Sequence, residues 1–145
     1  MKHMKNIWTI LCRSSSVDTD NNTISLFDCV EKLKVALKEK PKEIIALPIE
    51  MQLVSMWLKE SDDVEKKVNL KIDFVDPKDK VLQSNKVDFT SEKEKIRHRH
   101  RLYIKGLPIT ISGRYYFNTF IEQEKGKFIR VNQIPLDIDV SQSED

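Results

Sequence analysis

Val68, Leu70, Ile72 and Phe74 alternate with Asn69, Lys71 and Asp73. Successive side chains of an extended strand point to opposite faces, so this run sets one apolar face against a core and one polar face towards water. The same two-residue period recurs along the chain. Residues 5–13, KNIWTILCR, form an apolar run with β-branched and aromatic members. The cluster DTDNN follows, and its Asp and Asn side chains suit a tight turn because they bond their own backbone. A second strand, TISLFDCVEKLKVAL, is expected next, paired antiparallel with the first and ending before the lysine-rich KEKPKE.

Residues 44–60, IIALPIEMQLVSMWLKE, carry two patterns. Ile49, Met51, Leu53 and Trp57 share strand parity, whereas Ile49, Leu53, Met56 and Trp57 make a helical stripe. Pro48 and the strand-rich context favour a strand. Asp76-Pro77 supplies turn chemistry after Phe74, VLQSNKVDF reads as a weaker strand, and SEKEK as a charged loop. A polar strand then runs to Gly106. ITISGRYYFNTFIEQEKGKFIRVNQI reads as a hairpin turning near EKGK, and in PLDIDV Leu136, Ile138 and Val140 alternate with Asp137 and Asp139. About eight short strands with little helix predict an all-β chain, a single antiparallel β-sandwich of immunoglobulin-like or C2-like kind. The domain is read as residues 1–140, with 141–145 as a polar, frayed tail.

Composition narrows this further. With 145 residues the chain has room for one domain with a real core and too little for two. A charged fraction of 33% beside 39% hydrophobic is that of a soluble globular chain. Three glycines leave no glycine-rich phosphate loop. The apolar run Ile7 to Cys12 falls short of a signal core of about 7–15 residues, and no window reaches the roughly 18 apolar residues that span a bilayer. The expected location is cytoplasmic. Cys12 and Cys29 lack metal-ligand spacing, but a hairpin about DTDNN would bring them close. Two buried thiols are the expected state, with a disulfide as the alternative.

Three stretches carry a resemblance: WTILCRSSSVDTDNNTISLFD, LPIEMQLVSMW and GLPITISGRYYFNTF. In that order they resemble a family of small bacterial proteins of unknown function. Its members open with a WTxLC strand, pass through a DxxxN turn into SLF, and carry a late GxY strand. The likeness spans nearly the whole chain and implies a β-sandwich. Its motifs are structural, so no catalytic residue is carried over.

The densest chemistry lies in KIRHRHRLYI, residues 95–104. Read as a strand, it puts Ile96, His98, His100, Leu102 and Ile104 on one face and Arg97, Arg99, Arg101, Tyr103 and Lys105 on the other. The apolar members mark the histidine face as the core side. His98 and His100 have the i, i+2 spacing of strand metal ligands, but zinc needs a third and usually a fourth, and the remaining histidine is His3. The expected fate of the imidazoles is a sandwich rim, hydrogen-bonded or wet. The arginines, about 6.5–7 Å apart along the strand, are expected to pair with Glu122, Glu124, Asp137 or Asp139 across neighbouring strands.

Charge distribution supports a second reading of the same face. Residues 93–130 hold ten Lys or Arg against three Glu, a net charge of +7 within a total of +2. Tyrosines are interleaved. Arginine grips phosphate bidentately and tyrosine stacks a base, so Arg97, Arg99, Arg101, Tyr103, Lys105, Arg114 and Arg130 form a candidate anion-binding set. A pI near 8.5 lies below the value of about 9 usual for dedicated nucleic-acid binders.

The remaining constellations read as structural. DTDNNTISLFD begins like a calcium loop but has Thr23 where glycine would make the sharp turn, so an ordinary turn is expected. No serine sits on a nucleophile elbow, and Asp62-Asp63 lie in a charged loop. Trp8, Trp57, Phe27, Phe74, Tyr115 and Phe117 are expected to build the core, and ISGRYYF invites comparison with a tyrosine corner. The functional expectation is a non-enzymatic interaction module, without cofactor or metal, that binds a protein or itself. Anion or nucleic-acid binding through the basic face is the alternative.

Overall fold

The computed structural model describes residues 4–38, 44–60 and 65–142. His3, Asp62, Asp63 and most of the KEKPKE segment lie outside the described residues. The chain is all-β, with nine strands and no helix among the described residues. These are β1 (Lys5–Asp18), β2 (Thr23–Cys29), β3 (Lys32–Leu37), β4 (Ile45–Leu58), β5 (Lys66–Val75), β6 (Val81–Ser91), β7 (Arg97–Ile109), β8 (Gly113–Glu124) and β9 (Lys127–Gln142). One sheet has the order β2-β1-β4-β7 and the other β3-β9-β8-β5-β6.

The alternating pattern is realised where it was clearest. Val68, Leu70, Ile72 and Phe74 are all buried on β5, and Met51, Leu53 and Trp57 on β4, so the strand reading of residues 45–58 holds. Leu11, Leu53, Ile72, Phe117 and Leu136 belong to one core cluster, while Trp57, Leu70 and Ile121 form a second. Each fully buried side chain of this size is worth about 1.5–3 kcal/mol relative to exposure. Phe74 lies 5.4 Å from Tyr115 and 4.6 Å from Phe117, ring centre to ring centre. Trp8 is half-buried and Phe27 is 49% exposed, so these two aromatics stand apart from the expected core.

Two departures concern connectivity. TISLFDCVEKLKVAL is not one strand, because the chain changes sheets inside it. Asp28 takes a left-handed backbone, φ 53°, a conformation that aspartate tolerates better than most residues. Immediately afterwards the Val30 N–H donates to Leu11 O at 2.8 Å in the first sheet, while Glu31 O accepts from Asp137 N–H at 3.1 Å in the second. One peptide step therefore hands the ladder from β1 to β9. The resulting β3–β9 pairing is parallel, unlike every other pairing. Parallel neighbours need a long connection, and most of the molecule lies between these two.

The second departure is at the C-terminus. KFIRVNQI and PLDIDV join into the single strand β9 despite Pro135. Opposite Tyr116, Pro135 has a neighbour on the β8 side, but β3 begins to pair only at Asp137. A residue without an N–H is tolerated at such an edge position. β9 also runs two residues into the expected tail, where Ser141 Oγ donates to Val35 O at 3.4 Å and Gln142 Nε2 to Lys38 O at 3.3 Å.

The turns follow their sequence signals. Asp18 Oδ1 accepts from the N–H groups of Asp20 and Asn21 at 2.9 and 3.3 Å, holding an ordinary turn. Those bonds keep its carboxyl below the usual aspartate range. Asp76 Oδ1 accepts from the N–H groups of Lys78 and Lys80, both at 2.9 Å. Gly113, with φ 148°, opens β8 against the second turn: a Cβ there would lie 2.7 Å from Pro77 Cγ. Gly113→Ala should therefore cost about 1–3 kcal/mol, read as a lowered urea midpoint; an unchanged midpoint would show that the two turns do not support each other.

Candidate functional site

The β4 ladder sets Arg97 opposite Leu58, Arg99 opposite Met56, Arg101 opposite Val54, Tyr103 opposite Gln52 and Lys105 opposite Glu50. The arginines thus lie over apolar side chains. Their expected partners, Glu122, Glu124, Asp137 and Asp139, belong to β8 and β9 in the other sheet. Among the described residues no carboxylate lies within ion-pair distance of Arg97, Arg99, Arg101 or Lys105.

Two of the guanidinium groups are nonetheless engaged. Arg99 Nη2 donates to Asn22 O at 3.1 Å and to Asn22 Oδ1 at 2.5 Å. Arg101 Nη1 donates to Ser15 Oγ at 3.3 Å, which in turn donates to Gln52 Oε1 at 2.5 Å. Asn22 and Ser15 belong to the β1–β2 hairpin, at the opposite end of the sheet order from β7. The first sheet must therefore curl until its two ends approach each other on the arginine face. Val54 and Cys12 confirm the curl: neither belongs to the core clusters between the sheets, yet both are 0% exposed. Arg99 and Arg101 are half-buried as a result, while Arg97, Tyr103 and Lys105 remain exposed.

The other two members of the candidate set are on the second sheet. Arg114 of β8 bonds Asp137 through Nε at 2.8 Å, and this bond holds the Asp137 carboxyl below its usual range. Arg130 of β9 is exposed opposite Phe120. The basic third of the sequence is thus divided between two sheets by the β7–β8 crossing.

The histidines face the interior, as the apolar members of their face implied, and are half-buried at the flank where the edge strands β7 and β6 meet. The His98 ring stacks on Phe89 of β6 at 3.9 Å and 2°, with His100 6.2 Å from the same ring. His100 Nδ1 is buried with no hydrogen-bond partner among the described residues. No group of three or more His, Cys, Asp or Glu side chains converges among the described residues. The stack joins β7, an edge of one sheet, to β6, an edge of the other.

Four strands are sheet edges: β2, β3, β6 and β7. β3 carries Lys32 and Lys34, β6 carries Lys86 and Asp88, and β7 carries its arginines and Lys105. Charged side chains on an edge discourage further strand pairing. β2 has no charge from Thr23 to Phe27. The Val30 to Leu11 bond makes Cys12 and Cys29 a non-hydrogen-bonded pair of the antiparallel ladder. Two-residue alternation then places Thr23, Ser25 and Phe27 in equivalent positions, with N–H and C=O turned away from β1 towards the open side. Sequence patterning alone had no means of finding this edge, because it depends on which strands lie beside which.

Among the described residues the surface hollows add no catalytic grouping. One of 520 Å³ on the outside of the second sheet is lined by Asn69, Lys86, Asp88, Glu122 and Phe128, a mixture of opposite charges. A cleft of 390 Å³ at the sheet-changing step is lined by Cys29, Glu31, Arg114 and Asp137 among others.

No family model matches the chain, and no curated protein matches it. No helix among the described residues is long and apolar enough to cross a membrane.

The histidine stack generates a pH test. Burial pushes both imidazoles below the ordinary value of 6.5; for His98 the charge of Lys95 adds to this, and for His100 the neighbouring His98 does. Folded histidines therefore stay neutral at a pH where unfolded ones take up protons. Stability should be complete above pH 6.5 and decline as pH falls below it towards the folded-state values. Urea midpoints across pH 7.5 to 5 should fall in the native chain and fall less in His98→Phe.

Proposed function

We propose that this chain is a non-enzymatic binding module that pairs with a second copy of itself through the open edge of β2. One observation carries the reading: the edge strand β2 is uncharged from Thr23 to Phe27, with Phe27 49% exposed beside it. An edge of this kind adds a strand through main-chain hydrogen bonds, with alternate side chains supplying selectivity. Five residues suffice for a short antiparallel pairing between two β2 strands.

The scaffold fits an immunoglobulin-like or C2-like sandwich, as in the small bacterial family that the chain resembles. Tyr115 supports the immunoglobulin-like form: its hydroxyl donates to Ile111 O at 2.5 Å and accepts from Thr110 N–H at 2.9 Å, a staple of the tyrosine-corner type. A cytoplasmic setting, where thiols stay reduced, fits the two free cysteines.

Light scattering behind a sizing column tests the pairing. Native protein at micromolar concentration should run as a dimer, and Phe27→Lys, which places a cation on the open edge, should weaken association roughly tenfold or more. A native chain that stays monomeric at hundreds of micromolar would end the self-pairing reading.

A second reading, anion binding on β7, is favoured by the neutral character of the oxygens that hold Arg99 and Arg101. Their positive charge is left uncancelled, next to exposed Arg97 and Lys105, with Tyr103 58% exposed. Fluorescence anisotropy with a labelled single-stranded oligonucleotide at low salt should then show binding that weakens steeply with salt and is lost in the double variant Arg97→Ala, Lys105→Ala. No binding at low salt would dispose of it.

A further inference from the structure

We infer that Cys12 and Cys29 form a reversible oxidation site, closing to an intramolecular disulfide across the β1–β2 ladder when the protein meets a small disulfide such as oxidised glutathione. The two are direct partners in the antiparallel register and both are free thiols. The Val30 N–H to Leu11 O bond, 2.8 Å, flanks them and identifies their position as the non-hydrogen-bonded kind. In such pairs the Cα atoms stand about 4.5 Å apart, with side chains closer than at the alternate positions. Disulfides span Cα separations of about 4.4–6.8 Å, so the bridge closes without either strand leaving its place.

The two thiols are unequally placed, and that sets the order of events. Cys29 is exposed and lines the 390 Å³ cleft at the sheet-changing step. Cys12 is 0% exposed inside the curl of the first sheet, out of reach of an external disulfide. The Cys29 thiolate attacks one sulfur of oxidised glutathione, breaking its S–S bond and releasing one glutathione thiolate. Cys12 then loses its proton to solvent and attacks the Cys29 sulfur of the mixed disulfide, expelling the second glutathione thiolate. Both released thiolates take up protons. Two protein S–H bonds are replaced by one S–S bond, and oxidised glutathione is reduced to two thiols. Burial, with the neighbouring Cys29 adding to it, pushes the Cys12 thiol above its ordinary value. The second step should therefore quicken as pH rises through the alkaline range.

The exposure of Cys29 adds a reason for the exchange to be reversible, because an exposed bridge is more open to reduction than a buried one.

Dilute native protein is incubated with oxidised glutathione, quenched with acid and measured by intact mass, then denatured and alkylated. The expected product has lost two hydrogens, carries no glutathione, resists alkylation at both cysteines and returns to the starting mass with dithiothreitol. In Cys12→Ser the reaction should stop instead with one glutathione on Cys29. The inference is overturned if the native chain also stops at the glutathione adduct, or if non-reducing gels show only disulfides between chains. The loss of two hydrogens within a single chain is read whether or not β2 pairs with another molecule.

Discussion

Every strand at the border of an open sheet leaves half its backbone donors and acceptors without a ladder partner, and two sheets make four such borders. The arrangement of this molecule follows from how each is treated. β6 and β7 meet along one flank, where the Phe89 ring stacks on His98 and bridges the two sheets. β3 is guarded by Lys32 and Lys34. On the remaining flank the chain steps between sheets at Val30–Glu31, one group bonded to β1 and the next to β9. β2 is left as an uncharged border, which is where the functional reading settles.

The curl of the first sheet is the second organising feature, and it links the arginine strip to the hairpin. Arginine has a rigid fork of donors and is readily satisfied by uncharged oxygens. Arg99 and Arg101 use that fork to tie Asn22 and Ser15, far along the chain, to β7. The tie encloses Val54 and Cys12 on a face turned away from the core between the sheets. Cys12 is consequently shielded while its ladder partner Cys29 stays open to solvent, and the unequal pair has a built-in order of reaction.

Asn132 shows how polar groups are carried between the sheets on the flank of β1 and β9. Its Nδ2 donates to Asn6 Oδ1 at 3.1 Å and to Thr9 Oγ1 at 2.9 Å, and Asn6 Nδ2 in turn bonds the backbone oxygens of Trp8 and Met56. The bulge in β1 between Asn6 and Trp8 permits this geometry. Half-buried amides that share their hydrogen bonds in this way hold two sheets in one alignment, a directional constraint that apolar packing does not supply.

Two-residue periodicity by itself determined β5 and the faces of β7, because burial on one side of a pleated chain selects apolar residues at every second position, whereas β4 also needed Pro48 and its strand-rich context. The turns at Asp18 and Asp76 were equally legible, since a carboxylate bonding its own backbone is a local event. The hairpin midpoint at DTDNN also brought Cys12 opposite Cys29, as the register bears out. Tertiary structure alone decided the sheet change inside TISLFDCVEKLKVAL, the parallel β3–β9 pair, the exposure of Phe27 and Cys29, and the separation of Arg114 and Arg130 from the β7 arginines. Each of these depends on which strand lies beside which, and side-chain alternation reports the two faces of a strand without naming the neighbours along its edges.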